Sequence, residues 1–72
     1  MLEKQFGERI KQLRKETKLT QEQLAEIVGT DSRTVRRWES GESGPEFNKL
    51  ERIAQAFHVP VIELFTHTTN EK

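Results

Sequence analysis

The fold is decided by residues 20–41, which read TQEQLAEIVGTDSRTVRRWESG. Thr20 stands three residues before a glutamine, which is the spacing of a capping box at the start of a helix. Gly29 follows the last apolar residue of that helix, and glycine readily adopts the positive φ that ends helices. Asp31 can then cap a further helix, which we expect to end at Ser40-Gly41. The stretch therefore predicts two short helices joined by a turn of about three residues.

Small and apolar residues within this stretch indicate how the two helices pack. Ala25 is small enough to let two steeply crossing helices approach each other closely. Val35 and Trp38 lie three residues apart on the second helix, and we expect both to point inward. The apolar side predicted for the first helix consists of Leu24, Ala25, Ile27 and Val28. This spacing favours a tightly packed pair of helices with one shared core.

Helical periodicity continues on both sides of the stretch. Upstream, apolar residues recur at spacings of four, four and three, the period of one helical face. They are Leu2, Phe6, Ile10 and Leu13. Downstream, Gly44-Pro45 marks a loop, and a fourth helix is predicted from Phe47, Leu50, Ile53, Ala54 and Phe57. A short fifth helix is predicted from Val61 to Phe65.

These elements together predict an all-α, five-helix domain over residues 1–65, with the two-helix motif at about residues 20–40. We expect Phe6, Phe47 and Phe57 to lie in its core. Residues 66–72 form a polar tail that could open a linker to a further segment.

Composition limits the class of protein. Seventy-two residues suffice for one domain, and the absence of cysteine excludes disulfides and cysteine-ligated zinc. No apolar run approaches the ~18–20 residues of a membrane span, and the N-terminus lacks a signal-peptide core, so we expect a cytoplasmic protein without membrane association. His58 and His67 are the only histidines, and no ligand cluster or catalytic arrangement surrounds them. We therefore predict no metal, no cofactor and no enzymatic activity.

Charge is balanced over the whole chain but not along it. Twelve Lys and Arg offset twelve Asp and Glu, whereas nucleic-acid-binding domains are often strongly basic. Residues 1–41 carry nine basic and seven acidic side chains, and residues 42–72 carry three and five. So small an excess of positive charge in the first part of the chain weakens non-specific DNA affinity, but it does not exclude sequence-specific binding.

The outer face of the predicted third helix is rich in arginine. With Val35 and Trp38 inward, the opposite side carries Arg33, Arg36, Arg37 and Ser40. A guanidinium can bind guanine O6 and N7 bidentately, which gives ~1–3 kcal/mol of discrimination per good contact. The alternative is an ordinary solvated face paired with nearby glutamates. We favour insertion into the major groove of double-stranded DNA, because the arginines coincide with the two-helix motif.

Residues 6–65 resemble the lambda-repressor-like (XRE/Cro-type) helix-turn-helix family. The most specific segments are LTQEQLAEIVG, RRWESG followed by a proline, LERIAQAF, and the ending V-x-x-x-E-L-F. The resemblance implies five helices, with the second and third forming the DNA-binding unit. It also implies a transcriptional regulator of a kind that usually binds palindromic operators as a dimer.

The resemblance implies roles for individual residues. Ser32, Arg33 and Arg37 match positions that read base edges, and Gln21 matches a glutamine that contacts a DNA phosphate. Contacts to the DNA backbone or to flanking positions are expected from Thr20, Gln21, Thr34, Arg36, Ser40, Asn48 and Lys49. Arg14 and Glu39 resemble an ion pair that ties the first helix to the third.

Two positions depart from the family pattern. Pro60 stands where a serine commonly precedes the fifth helix, so it supplies no capping hydroxyl. His58 stands where glycine is common, so a left-handed conformation there would be strained.

Two functions remain open. The first is a repressor that inserts its third helix into the major groove of a palindromic operator as a homodimer. A short fifth helix cannot bury all its apolar residues, so we expect Val61, Ile62 and Phe65 to form the dimer interface. The second is a protein-interaction module, such as an antitoxin or a bridging domain of the transcription machinery, which zero net charge would suit.

Overall fold

The computed structural model describes residues 2–66, which form four α-helices and two short 3₁₀ helices. The α-helices are α1 (Leu2–Glu16), α2 (Gln21–Val28), α3 (Ser32–Ser40) and α4 (Leu50–Phe57). The 3₁₀ helices are Phe47–Lys49 and Val61–Phe65, and this part of the chain contains no strand. The predicted all-α class is confirmed, with a 3₁₀ helix in place of a fifth α-helix. His67 and most of the predicted polar tail lie outside the described residues.

The helix ends follow the predicted capping signals. Thr20 Oγ1 accepts the Gln23 N–H at 3.0 Å, and Gln23 Oε1 accepts the Thr20 N–H at 2.9 Å, which completes the capping box. Gly29 and Gly41 end α2 and α3 at φ 90° and 84°. Asp31 caps α3. Each of these signals is local, so the sequence predicts it directly.

The core draws side chains from every α-helix and from the second 3₁₀ helix. α3 packs against α1 and α2, α4 packs against α2, and Val61–Phe65 packs against α1 and α4. The buried apolar residues are Phe6, Ile10, Leu13, Leu24, Ala25, Val28, Val35, Trp38, Ile53, Ala54, Ala56, Phe57 and Leu64. No helix within residues 2–66 is long and apolar enough to cross a membrane. This arrangement covers one side of α3 and leaves its opposite side in solvent.

α1 passes unusually close to the C-terminal end of α3. A Cβ added at Gly7 would lie 2.1 Å from the Trp38 carbonyl oxygen and 2.9 Å from that of Glu39. Gly7 was not predicted to lie at a helix crossing, although an isolated glycine inside a helical pattern often marks such a close approach. Only a residue without a side chain fits at this helix crossing.

Three apolar residues expected on buried faces are exposed. Phe47 is 89% exposed, so the prediction that it lies in the core is wrong, and Leu2 and Ile27 are exposed as well. Phe47 and Leu2 begin their elements, and helical side chains tilt toward the N-terminus, so both extend past the helix end rather than onto the core. Ile27 lies roughly 100° around α2 from the centre of the buried face, given about 100° per residue.

Two non-glycine residues adopt the left-handed conformation. His58 ends α4 at φ 60° and ψ 40°, at the position where the family favours glycine. Lys18, which the sequence analysis did not single out, follows α1 at φ 63°. Left-handed backbone costs a residue with a Cβ more than it costs glycine. Pro60, as expected, supplies no side-chain cap to the following 3₁₀ helix.

Candidate nucleic-acid interface

The N-terminal tip of α3 is ordered by its cap. Asp31 Oδ1 accepts the Thr34 N–H at 2.9 Å, and the hydrogen bonds from Thr34 lower the pKa of the Asp31 carboxyl. The carboxylate thus stays ionised at neutral pH beside the positive end of the helix dipole. This cap holds Ser32 and Arg33 at the start of α3, where a helix entering the major groove contacts base edges.

The exposed face of α3 carries the arginines. Arg33, Arg36 and Arg37 are exposed, whereas Val35 and Trp38 on the other side are buried. Arg37 Nε lies 3.9 Å from Glu42 Oε2, with both side chains in solvent, so this pair is weak. The three guanidinium groups are therefore available on one surface of a nine-residue helix.

Ser32, Thr34 and Ser40 lie at the margins of this face. Ser32 and Thr34 are half-buried near the start of α3. The Ser40 hydroxyl donates to the Arg37 carbonyl oxygen at 3.1 Å and accepts the Glu42 N–H at 3.4 Å. Ser40 thus stabilises the end of α3, in addition to any contact it makes with DNA.

On the buried side of α3, Glu39 links this helix to α1 and to the start of α2. Arg14 Nε donates to Glu39 Oε2 at 2.6 Å, and the second guanidinium nitrogen donates to Glu39 Oε1 at 3.1 Å. Gln21 Nε2 also donates to Glu39 Oε1, at 3.0 Å, and Arg14 donates further to the Leu19 carbonyl oxygen at 2.8 Å. The carboxylate therefore ties α1 and the start of α2 to α3. The family resemblance implied the Arg14–Glu39 pair, but the Gln21 contact was not foreseen.

Gln21 thus has a fixed orientation before any ligand arrives. Thr20 and Gln21 stand at the N-terminal end of α2, where backbone N–H groups can bind a phosphate. A carboxamide has two N–H donors, and Glu39 uses one of them. The bond to Glu39 therefore leaves a donor with which Gln21 can contact DNA.

Asn48 and Lys49 occupy the 3₁₀ turn that precedes α4. Asn48 is exposed, and Lys49 Nζ donates to the Gly29 carbonyl oxygen at 3.3 Å. Arg52 lies beside the same glycine. Arg52 was not predicted to lie here, because no local pattern links a residue of α4 to the turn between α2 and α3.

Apolar side chains gather at the second 3₁₀ helix, where a dimer interface was predicted. Ile62 is 72% exposed, Phe65 is also exposed and Val61 is half-buried, whereas Leu64 is fully buried. The rings of Phe65 and Phe6 pack against each other in a tilted arrangement, with 5.1 Å between their centroids. A groove of about 170 Å³ adjoins this patch and is lined by Leu2, Glu3, Phe6, Gly44, Pro45, Leu50 and Phe65.

An ion pair that the sequence analysis missed holds this terminal element in place. Arg9 Nε donates to the Glu63 carbonyl oxygen at 2.8 Å, and its terminal nitrogen lies 3.2 Å from Glu63 Oε1. The two residues are 54 positions apart, so periodicity could not connect them. The pair attaches the Val61–Phe65 helix to α1.

The fold agrees with a comparison to known families. The model of the helix-turn-helix family HTH_3 matches residues 10–64. The chain belongs to this family. Within the matched residues, α2 and α3 are the two short helices joined by a tight turn.

Relatives within the HTH_3 family include regulators of transcription. The chain is 39% identical over 62 residues to the HTH-type transcriptional activator BcrR of Enterococcus faecalis. This match covers 86% of this chain and 30% of BcrR. It is 34% identical over 59 residues to the cryptic phage CTXphi transcriptional repressor RstR of Vibrio cholerae. This match covers 82% of this chain and 53% of RstR. The chain thus spans about a third to a half of the length of these relatives.

Among solved structures, the domain is similar to the restriction-modification controller protein C.AhdI of Aeromonas hydrophila. The TM-score is 0.81 with 32% sequence identity, and the match covers 86% of this chain and 90% of C.AhdI. The backbone arrangement of this HTH_3 domain therefore occurs in a small controller protein of nearly the same extent.

Proposed function

We propose that this protein is a sequence-specific DNA-binding regulator of transcription. The observation that carries the proposal is the exposed face of α3, where Arg33, Arg36 and Arg37 lie opposite the buried Val35 and Trp38. Inserted in the major groove, Ser32, Arg33 and Arg37 read base edges while Thr34 and Arg36 meet the flanking backbone. Membership of the HTH_3 family and the regulators among its relatives support this function. Because its relatives are bacterial and phage regulators, whose DNA lies in the cytoplasm, we place its action there.

We further propose that it acts as a repressor on a palindromic operator. A C2 dimer would present two copies of α3 to successive major grooves, about 34 Å apart. RstR supports repression, whereas the activator BcrR leaves activation as the competing outcome. A reporter gene carrying the selected operator separates these two outcomes, because repression lowers its expression and activation raises it.

The deciding experiment is selection of random duplex DNA by the purified protein. We expect an enriched palindrome whose half-sites are about ten base pairs apart, with affinity that falls steeply as salt rises. Absence of any enriched sequence, with weak binding at all salt concentrations, would contradict the proposal.

Removing one base-reading arginine should change specificity as well as affinity. We expect Arg33→Ala or Arg37→Ala to cost ~1–3 kcal/mol of binding and to relax base preference at one position per half-site. Arg36→Ala is the matched control, because a phosphate-contacting arginine should weaken binding about equally on all sequences. Competition assays on the selected operator and its single-base variants measure both effects. Equal losses on operator and random DNA for all three variants would refute base reading by Arg33 and Arg37.

Dimerisation through the terminal 3₁₀ helix is the second part of the proposal. Val61, Ile62 and Phe65 would cover one another across a two-fold axis, since Ile62 in particular is largely exposed. We expect Ile62→Glu to shift the dimer–monomer equilibrium strongly to the monomer, as measured by analytical ultracentrifugation. Ile27→Glu on α2 is the control for a charge added at an exposed isoleucine outside this patch, and it should leave self-association unchanged. A wild-type protein that stays monomeric at high concentration would remove this interface.

The apolar patch also supports the alternative of a protein partner. In that case the partner, not a second copy, covers Ile62 and Phe65, as in an antitoxin or a bridging domain. Binding to such a partner would be lost with Ile62→Glu and retained with Arg33→Ala. On operator DNA the DNA-binding proposal instead expects Arg33→Ala to weaken binding, and Ile62→Glu to weaken it as well through loss of the dimer.

A further inference from the structure

Two cations converge on the turn between α2 and α3. Lys49 Nζ donates to the Gly29 carbonyl oxygen at 3.3 Å. A Cβ added at Gly29 would lie 3.2 Å from an Arg52 guanidinium nitrogen and 3.8 Å from Lys49 Nζ. Both side chains thus reach the same point of the backbone from a segment at least 20 residues away in sequence.

Neither cation forms a salt bridge in the described part of the chain. Within residues 2–66, the ion pairs involve Arg9, Arg14 and Arg37, and neither Lys49 nor Arg52 takes part in one. Two like charges held side by side, neither of them in a salt bridge, raise the local positive potential. The Gly29 carbonyl oxygen partly compensates Lys49, because it lies at the negative end of the α2 dipole. Arg52 is exposed, and its planar fork of donors suits a phosphate.

The position of this pair relates it to the recognition helix. Gly29 precedes Ser32, the first residue of α3, by three residues, so their Cα atoms are at most about 11 Å apart. The major groove is about 12 Å wide. Cations held beside Gly29, next to the tip of an inserted helix, are thus in a position suited to the phosphate backbone at the edge of the groove rather than to a base.

We propose that Arg52, with Lys49 beside it, binds a DNA phosphate at the groove edge next to the α2–α3 turn. The inference rests on the proposed DNA-binding function and adds a residue to it. The phosphate is distinct from the one assigned to Gln21, because the eight residues of α2 separate the two ends by about 12 Å. α2 therefore has a phosphate contact at each end, which sets the angle at which α3 enters the groove.

The competing explanation is purely structural. Lys49 supplies a hydrogen bond to a carbonyl oxygen at the end of α2, and Arg52 could merely cover the turn. The structural role predicts an effect of Arg52 on stability, whereas phosphate binding predicts an effect on the salt dependence of DNA affinity. The two roles are therefore separable with one set of variants.

The test measures DNA affinity across salt for the wild type, Arg52→Gln, Arg52→Lys and Lys11→Gln. Each phosphate contact contributes about −0.9 to the slope of log K against log salt. We expect Arg52→Gln to reduce the magnitude of this slope by about 0.9. The factor by which affinity falls between about 100 and 200 mM salt should then be about 1.9-fold smaller than for the wild type. The loss should be equal on operator and random DNA, and Arg52→Lys should restore most of the slope. Lys11→Gln removes the same charge from α1, outside the helix-turn-helix, and should keep the wild-type slope.

The outcomes separate this inference from the function on which it rests. If the wild type binds its operator with steep salt dependence and Arg52→Gln keeps the same slope, the phosphate contact is overturned. The proposed DNA-binding function is not affected by that result. An equal reduction for Lys11→Gln also overturns the phosphate contact, since the effect would then reflect net charge. A wild type that binds no DNA overturns the proposed function itself. Thermal unfolding of each variant identifies any loss that comes from the fold.

Discussion

Replacing Gly7 with alanine should destabilise this domain, although the same change in an exposed helix would stabilise it by about 1 kcal/mol. The added Cβ would lie 2.1 Å from the Trp38 carbonyl oxygen, so α1 and α3 must separate. Overpacking typically costs about 1–3 kcal/mol and occasionally more. Because backbone atoms, not a flexible side chain, stand in the way, we expect a net loss of about 3 kcal/mol, at the upper end of that range.

Urea unfolding monitored by the fluorescence of Trp38, the single tryptophan, measures this loss directly. Gly44→Ala is the matched control, because a Cβ added at Gly44 meets nothing within 4 Å. That control should be neutral or stabilising by less than about 1 kcal/mol, through its effect on the unfolded chain. If Gly7→Ala proves as stable as the wild type, the close crossing of α1 and α3 is not as the structure has it.

Glu39→Ala should be at least as damaging, because it leaves a buried guanidinium without its carboxylate. The side chains of Arg14 and Glu39 are only 11% and 4% exposed. Removal of one partner from a buried ion pair costs about 3–5 kcal/mol, chiefly because the remaining charge stays desolvated. Whole domains of this size are stable by only about 5–10 kcal/mol, so the variant should lose a large part of its free energy of unfolding.

Two further variants separate the effect of charge from the effect of packing. Glu39→Gln retains an acceptor for Arg14, so it should lose less stability than Glu39→Ala in the same urea experiment. The double variant Arg14→Met/Glu39→Leu should recover most of the loss, since apolar replacement of a buried pair is often neutral or stabilising. A Glu39→Ala variant within about 1 kcal/mol of the wild type would show that the pair behaves like a solvent-exposed one.

The same network affects the proposed interface. Gln21 donates to Glu39 Oε1, so Glu39 orients a residue that we expect to contact DNA. Loss of Glu39 should therefore impair DNA binding by any molecules that remain folded. Glu39 thus stabilises the core and also orients a residue of the proposed DNA-binding surface. The family resemblance alone did not imply this second role.

Sequence reasoning succeeded where the relevant interactions are local. The capping box at Thr20, the cap at Asp31 and the left-handed glycines at positions 29 and 41 depend on neighbours within a few residues. The outward direction of the arginines on α3 follows from helical geometry once Val35 and Trp38 are buried. These signals predicted the fold class, the motif and the exposed arginine face.

Sequence reasoning failed at the ends of elements and wherever distant segments meet. Phe47 has the spacing of a core residue, yet it begins its element and extends into solvent. Arg9 reaches Glu63 across 54 residues, and nothing in the neighbourhood of either residue indicates the contact. Periodicity specifies a direction around a helix, but it does not specify whether another element is present in that direction.

By itself, the sequence determined the helices, their ends and the side of α3 that faces solvent, because hydrogen bonds and side-chain spacing within four residues decide those features. Only the tertiary structure decided that α1 lies against α3 at Gly7, that Gln21 joins the Arg14–Glu39 pair, and that Lys49 and Arg52 meet at Gly29. These contacts depend on how separate helices cross, and crossing geometry is set by the whole packed core rather than by any short stretch of the chain.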